Sequence, residues 1–148
     1  MEHVYAQERL TDNLVKELEP LVTFHHAEVS TFKDMDVCPA WDKYLAMDNA
    51  GMLRIYTVRG EGKLIGYAFF ILGPHLHYRY SVQAVEDALY IQPEHRGYGK
   101  HFMVWCDNQL RECGAQVIYR GVPTTNDYSR ILLILGYKPL EQMYSRRF

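Results

Sequence analysis

The chain has 148 residues, of which 48% are hydrophobic and 23% are charged, and its formal net charge at pH 7 is -2. These values are typical of one globular domain, 1–148, that buries about two-thirds of the surface of its unfolded chain. Because the charge is near neutral and no apolar run reaches the roughly 18 residues of a membrane span, we expect a cytoplasmic protein that binds neither nucleic acid nor a membrane.

The first half of the chain predicts two helices and then two strands. In "TDNLVKELEPLV", Thr11 and Asp12 are cap candidates ahead of leucines at helical spacing, so we predict a helix that bends or ends near Pro20. The segment "PAWDKYLAM" opens with Pro39 and predicts a second, short helix. "MLRIYTVRG" and "KLIGYAFFIL" are rich in β-branched and aromatic residues and are separated by "GEG", which predicts an antiparallel pair.

The second half alternates predicted strands and helices. "GPHLHYRYSVQA" is predicted as a polar and aromatic loop with flanking strand character, "VEDALYI" as a third strand and "GKHFMVWCDNQLREC" as an amphipathic helix. After a strand in "QVIYRGV", the segment "TTNDYSRILLILG" predicts a helix with a cap at Thr125 or Asn126 and a stop at Gly136. "YKPLEQMYSRRF" is predicted as a closing strand, and the order as a whole predicts a mixed α/β layer fold.

The cysteines and histidines do not predict a metal site. Cys38, Cys106 and Cys113 are odd in number and lack C-x-x-C spacing, which supports neither a disulfide framework nor a zinc ribbon. Cys106 and Cys113 lie seven residues apart on one predicted helix, and we interpret both as buried small residues. His75 and His77 lack a third ligand at usable spacing.

Two glycines one residue apart stand out in "IQPEHRGYGKHFM". Glycine is costly in regular structure, so Gly97 and Gly99 suggest a need for bare backbone, as in an anion site at a helix N-terminus. A P-loop does not fit, because His101 follows Lys100 and no glycine lies five residues before Gly99. A dinucleotide fingerprint does not fit either, because Phe102 takes the place of the third glycine.

The order of "ALYI", "QPEHRGYGK", an amphipathic helix, a strand and "NDYSRILLILGY" resembles the Gcn5-related N-acetyltransferase (GNAT) superfamily over roughly residues 50 to 148. The family's loop pattern is Q/R-x-x-G-x-G/A after a strand of the form L-Y-V-x-P-E-x-R. "LYIQPEHRGYG" matches it with Arg96 and Gly99 in the first two fixed positions, whereas His101 replaces the last Gly or Ala. The resemblance implies an α/β (α+β) fold with a central mixed, mostly antiparallel sheet, splayed strands and about four flanking helices.

The resemblance implies that acetyl-coenzyme A is the co-substrate and that the glycine loop binds its pyrophosphate. Main-chain N–H groups at the start of the helix would donate to the phosphates, assisted by Arg96 and Lys100. The splayed strand would bind the pantetheine arm through its main chain, and Asn126 would contact the cofactor near the thiol or serve only as an N-cap. The implied cofactor-binding residues are Leu89, Tyr90, Ile91, Arg96, Gly97, Tyr98, Gly99, Lys100, His101, Phe102 and Asn126.

Acetyl transfer to an amine requires a group that removes the proton of the amine. Members of the family often carry a carboxylate four residues before the position of Ile91, which is Asp87 here. By the two-residue period of a strand, residues 85, 87, 89 and 91 share one face. We therefore predict Asp87 as the general base or amine-orienting carboxylate, with Glu86 on the opposite face as the alternative.

The family's general acid is a tyrosine four residues before the glycine of L-G-Y. Gly136 is that glycine, so Leu132 occupies the expected position and cannot donate a proton. Either the thiolate leaves without a protein acid, or Tyr128 or Tyr144 replaces the missing tyrosine.

Two groups of residues are candidates for the acceptor site. The first lies in "HLHY", where the alternative interpretation is an exposed loop, and it comprises His75, His77 and Tyr78. The second comes from the region that covers the acceptor site in this family, and it comprises His25, His26, Trp41 and Tyr44.

The resemblance implies an acetyl-coenzyme A-dependent N-acetyltransferase that acetylates a primary amine by direct transfer, since no cysteine falls beside the predicted acyl site. The rival hypothesis is a non-catalytic acyl-coenzyme A-binding module. It is supported by Leu132, which cannot donate a proton, and by His101, which replaces the last Gly or Ala of the loop pattern. The acceptor is left open between a small amine, an aminoglycoside-like compound, a peptide N-terminus and a protein lysine, and a homodimer is left open as well. "HLHYR" and "RGYGK" resemble GNAT proteins encoded by bacteriophages, which favours a host or phage macromolecule as acceptor.

Overall fold

A five-stranded sheet forms the centre of the computed structural model, which describes residues 1–148. Its strands, in spatial as well as chain order, are β1 (His3–Glu8), β2 (Leu53–Gly60), β3 (Lys63–His75), β4 (Tyr78–Ile91) and β5 (Val117–Tyr119). Only the β4–β5 pair is parallel. The helices are α1 (Asp12–Val29), α2 (Trp41–Asn49), α3 (Gly99–Glu112) and α4 (Ser129–Ile134), and a 3₁₀ helix (Pro93–Tyr98) precedes α3. The predicted mixed, mostly antiparallel fold is confirmed.

The N-terminal region contains a strand that sequence patterns did not predict. β1 pairs with β2 from His3↔Gly60 to Glu8↔Ile55 and forms one edge of the sheet. The cap at Thr11 is confirmed, because its hydroxyl accepts a hydrogen bond from the Leu14 N–H at 3.1 Å. The expected end near Pro20 is wrong, since α1 continues to Val29.

Three predictions in the second half of the chain are also wrong. The predicted loop over 73–84 is the tip of a long β3–β4 hairpin, with only Leu76 and His77 between the strands. The last helix begins at Ser129, because the Asp127 carboxylate accepts a hydrogen bond from the Ser129 N–H in a turn that precedes it. Residues 137–148, predicted as a strand, have no regular secondary structure.

Helices cover both faces of the sheet and bury its apolar side chains. On one face α3 contributes Phe102, Cys106 and Leu110, all fully buried, to a cluster with β2, β3 and β4. On the other face α1 contributes leucines, including Leu18, to a second cluster. Each buried leucine or phenylalanine stabilises the fold by about 1.5–3 kcal/mol. The buried position predicted for Cys113 is wrong, because this residue is exposed beyond the end of α3.

Two irregularities of β4 lie close to Asp87, in addition to a register shift near the hairpin tip between Pro74 and His75. In the pairing with β3, Ala88 lies opposite Phe69 and Glu86 lies opposite Phe70, so Asp87 is the extra residue of a β-bulge. The pairing with β5 ends at Val85↔Tyr119. Beyond that point the outer edge of β4 has no neighbouring strand, which confirms the predicted splay.

None of the helices is both long and apolar enough to cross a membrane.

Candidate active site

Two cavities meet at the bulge of β4. The first, which we call the splay cavity, has a volume of about 360 Å³ and lies where β4 and β5 separate, with α1 and the start of α3 as further walls. The second, the aromatic cavity, has a volume of about 480 Å³ and lies between α1, α2, β3 and the loop after α1. Both are lined by His25, Asp87 and Ala88. The two cavities therefore share part of their wall at the bulge.

The splay cavity brings together about half of the residues that the sequence implied for cofactor binding and catalysis. Those that line it are Glu86, Asp87, Leu89, Tyr90, Ile91, Arg96, Gly99, Asn126 and Tyr128. The implied residues that line neither cavity are Gly97, Tyr98, Lys100, His101, Phe102, Tyr144, His75, His77 and Tyr78.

The two loop glycines leave open space beside the main chain. Neither has a positive φ, so the backbone conformation does not require glycine. A Cβ added at Gly97 would meet nothing within 4 Å, and one added at Gly99 would meet only Ile91 Cδ1, at 3.6 Å. The N–H of Gly99 already donates to the carbonyl of Arg96. The side chain of Phe102 belongs to the core, so this residue could contribute only its main chain to a cofactor site.

Glu28 of α1 bridges Arg96 and Asn126 at the mouth of the splay cavity. Its carboxylate accepts a hydrogen bond from Arg96 at 2.6 Å and another from Asn126 Nδ2 at 3.1 Å. Arg96 Nε also donates to the Ile91 carbonyl at 2.9 Å. The Ile91 carbonyl, implied as a free acceptor for the cofactor, is therefore occupied in this conformation. The Asn126 side chain does not cap α4. Sequence patterns contained no signal for Glu28.

Asp87 faces the aromatic cavity and accepts a hydrogen bond of 2.5 Å from the hydroxyl of Tyr44 on α2. The bulge changes the alternation of β4, because Leu89 packs against the α3 face whereas Asp87 contacts the α2 face. The prediction that residues 85, 87, 89 and 91 share one face is therefore wrong. Burial, and then the charge of Asp87, raise the pKa of Tyr44, so this hydroxyl remains a donor at neutral pH.

His25 lies at the junction of the cavities and is held in a neutral form. Its Nδ1 is 2.8 Å from the hydroxyl of Tyr67, and its ring stacks on Tyr90 with 5.1 Å between the centroids. Burial lowers the pKa of His25, against the charge of Glu28, which raises it. His25 was predicted only as part of the acceptor-site cover, and its contacts with Tyr67 and Tyr90 required the structure.

Glu86, the alternative carboxylate, is committed to a buried ion-pair network. It binds Arg120, whose side chain is fully buried and which also binds Asp107 at 2.6 Å. The Tyr137 hydroxyl donates to the same Asp107 oxygen at 2.9 Å. Burial alone would lower the pKa of Arg120, but the charges of Glu86 and Asp107 raise it above its ordinary value. Because Arg120 stays charged and neutralises Glu86, Asp87 is the one of the two predicted carboxylates that is free of an ion pair.

Of the two tyrosines predicted as replacements for Leu132, the structure brings only Tyr128 to the splay cavity. Its hydroxyl donates to the Gly121 carbonyl at 3.2 Å, and burial and the charge of Glu86 raise its pKa. Tyr144 is 86% exposed, and its hydroxyl donates to Gln142 in the C-terminal segment. Tyr144 lines neither cavity, so the structure does not support its predicted catalytic role.

The "HLHY" residues lie at the tip of the β3–β4 hairpin and not at the cavities. Tyr78 precedes Asp87 by nine residues of an extended strand, which corresponds to about 30 Å. The rings of His75, His77 and Tyr78 contact one another instead. The structure therefore does not support their predicted role in the acceptor site. Nowhere in the chain do three or more His, Cys, Asp or Glu side chains form a group that could hold a metal ion.

Comparison with protein families yields a match over most of the chain. The sequence pattern of the Acetyltransferase (GNAT) family matches residues 15–137. Comparison with curated proteins gives no match.

Solved structures share the fold over nearly the whole chain at low sequence identity. One is a ribosomal-protein-alanine N-acetyltransferase from Brucella melitensis biovar Abortus 2308, with a TM-score of 0.72, 17% identity and coverage of 99% of both chains. Another is an aminoglycoside acetyltransferase from an uncultured soil metagenomic sample in complex with sisomicin, with a TM-score of 0.67, 14% identity and coverage of 97% of this chain and 94% of the other. A third is a predicted acetyltransferase with acetyl-CoA from Clostridium acetobutylicum, with a TM-score of 0.66, 13% identity and coverage of 99% and 96%.

Proposed function

We propose that the chain, which belongs to the Acetyltransferase (GNAT) family, transfers the acetyl group of acetyl-coenzyme A directly to a primary amine. The observation that carries this proposal is the meeting of the splay cavity and the aromatic cavity at Asp87. The first cavity would hold the thioester and the second the amine. The solved structure described with acetyl-CoA and the one in complex with sisomicin support this assignment by their shared fold.

The residues around the splay cavity fit the co-substrate. β4 has no neighbouring strand beyond Val85, so main-chain groups near Leu89 can bind the amides of a pantetheine arm as another strand would. The absence of a Cβ at Gly99 lets a diphosphate approach the N-terminus of α3, where the helix dipole favours negative charge. Arg96 would bind phosphate once it leaves Glu28.

Asp87 would remove a proton from the ammonium group of the acceptor, directly or through water. Acetyl-coenzyme A supplies the acyl group as a thioester. The neutral nitrogen forms a bond to the carbonyl carbon, the carbon–sulfur bond breaks, and the nitrogen loses its second proton. The ammonium group loses two protons in all. One is released to solvent, and the other accounts for the proton that converts the thiolate into a thiol.

Tyr128 would protonate the leaving thiolate in place of the tyrosine missing at Leu132. It lines the splay cavity on the β5–α4 side, and its raised pKa keeps the phenol protonated at neutral pH. Its proton would be replaced from solvent, which leaves the overall reaction with one proton released.

The test combines calorimetry of acetyl-coenzyme A binding with thiol release in the presence of a panel of primary amines. We expect binding, and amine-dependent thiol release above the hydrolysis rate without acceptor. Asp87→Asn is the matched variant, because it keeps the side-chain volume and removes the charge. Binding without turnover for every amine would support the non-catalytic module instead, and absence of binding would overturn the proposal.

A further inference from the structure

We infer that the aromatic cavity selects arylalkylamines, which are primary amines joined by a short chain to an aromatic ring, and rejects analogues that carry a carboxylate. This inference rests on the proposed function and names its acceptor class.

Five aromatic side chains from three parts of the fold form the apolar wall of this cavity. They are Phe32, Trp41, Tyr44, Tyr67 and Phe69. The ring of Tyr44 lies edge-on to Phe69 at 5.4 Å between centroids and contacts Trp41 at 5.7 Å. Tyr67 in turn lies edge-on to Phe69 at 5.5 Å. Such surfaces bind a flat apolar group through edge and face contacts, and they offer few partners to a polyhydroxylated sugar.

The charged groups of the cavity match an ammonium group. The lining contains two carboxylates, Asp36 and Asp87, and no lysine or arginine. Arg147, which reaches the same loop, is paired with Asp34 at 2.7 Å. A carboxylate on the ligand would lie near Asp36 or Asp87 with no lysine or arginine in the wall to pair with it, whereas an ammonium would gain a charge partner.

The position of the Asp87 carboxylate relative to the aromatic side chains limits the distance between the ring and the amine of the ligand. The Tyr44 hydroxyl binds Asp87, and the ring of the same residue belongs to the aromatic wall. The carboxylate therefore lies at the hydroxyl end of a ring that is itself part of the wall. A short linker between the ring and the amine of the ligand would let the ring contact the wall while the nitrogen lies at Asp87, beside the splay cavity.

The experiment compares phenethylamine with phenylalanine, which shares its ring, linker and amine and adds one carboxylate. Both are measured by calorimetry in the presence of coenzyme A and by kcat/KM with acetyl-coenzyme A, beside kanamycin and a peptide with a free N-terminus. We expect phenethylamine to bind at least about tenfold more tightly than phenylalanine, because like charges placed together oppose binding. Equal or tighter binding of phenylalanine, kanamycin or the peptide, or no binding of phenethylamine, would overturn the inference.

Two variants and a control test the cavity itself. We expect Asp36→Asn to reduce the preference for phenethylamine over phenylalanine, and Trp41→Ala to weaken the binding of phenethylamine. Leu45→Ala is the control, because Leu45 lies on the same helix and lines neither cavity. An unchanged preference in Asp36→Asn together with unchanged phenethylamine binding in Trp41→Ala would contradict the inference. Turnover of another amine without phenethylamine binding would overturn only the inference, whereas failure to bind acetyl-coenzyme A would overturn only the proposed function.

Discussion

The Tyr44 hydroxyl donates a hydrogen bond of 2.5 Å to Asp87 Oδ2, and this contact joins α2 to the bulge of β4. It orients the one carboxylate that lines both cavities and is free of an ion pair. This one hydrogen bond therefore links the position of α2, which lines the aromatic cavity, to the position of Asp87, the proposed base.

Replacement of Asp87 by asparagine should lower kcat by about 10²-fold, within the usual range for a general base. The affinity for acetyl-coenzyme A should stay within a factor of about three, because the substitution preserves volume and the phosphate end of the site lies elsewhere. Steady-state kinetics and calorimetry check the two quantities. Tyr44→Phe, which removes only the orienting hydroxyl, should lower kcat by about tenfold or less. Full activity of Asp87→Asn would eliminate this residue as the base.

Replacement of Gly99 by valine should weaken acetyl-coenzyme A binding at least about tenfold, or roughly 1.4 kcal/mol. The reason is that the new side chain would fill the open space beside the start of α3. Gly99→Ala should have a smaller effect. Because Gly99 has helical dihedral angles, with φ -58 and ψ -41, both variants should keep the melting temperature of the parent. Unchanged affinity by calorimetry would remove this glycine from the cofactor site.

Replacement of Glu28 by glutamine should tighten acetyl-coenzyme A binding by about two- to fivefold, which corresponds to the usual free energy of a partly exposed ion pair. The Glu28 carboxylate pairs with Arg96, so it would compete with a phosphate group for that side chain and would repel the phosphate by charge. Arg96→Gln is the companion variant and should weaken binding. Calorimetry at two salt concentrations measures both, and the gain from Glu28→Gln should shrink at the higher one. Weaker binding by Glu28→Gln would mean that the bridge supports the site rather than competing with the cofactor.

The pH profile of kcat/KM should rise to a plateau and show no fall below pH about 10, the ordinary pKa of a tyrosine. An acid works while it is protonated, and burial together with the charge of Glu86 raises the pKa of Tyr128, so its proton is lost only at higher pH. Tyr128→Phe should lower kcat by about tenfold at every pH. This loss is smaller than the usual contribution of about 10²–10⁴-fold from general acid–base catalysis, because a thiolate is already a good leaving group. A falling basic limb below pH 10 that vanishes in Tyr128→Phe would contradict the direction of this shift.

Replacement of Arg120 by methionine should destabilise the fold by about 3–5 kcal/mol, because it leaves Glu86 and Asp107 without their buried partner. Urea denaturation measures the free energy of unfolding. Arg130→Met on the exposed surface of α4 is the matched control and should change it by no more than about 0.5 kcal/mol. A loss from Arg120→Met no larger than that of the control would mean that the two carboxylates find other partners.

Local patterns in the sequence were sufficient for the fold class and for the position of the glycine turn before α3. The strands β2 and β3, the cap at Thr11 and the glycine turn before α3 all depend on residues close together in the chain, and each is found where it was predicted. β1 escaped prediction because a six-residue edge strand with polar positions carries a weak pattern. The closing strand was wrong because residues 137–148 have no pairing partner in the sheet.

The family, the mixed sheet and the carboxylate at position 87 could all be predicted before the fold was known, since they follow from motifs and periodicities of neighbouring residues. The direction in which that carboxylate points depends on the pairing of β4 with β3, because one extra residue there reverses the alternation of side chains. The tertiary structure also shows that Arg120 neutralises Glu86, which lies 34 residues before it, and that Glu28 of α1 holds Arg96 and Asn126, which lie 68 and 98 residues after it. Contacts over such separations depend on how the helices pack on the sheet, and no local pattern encodes them.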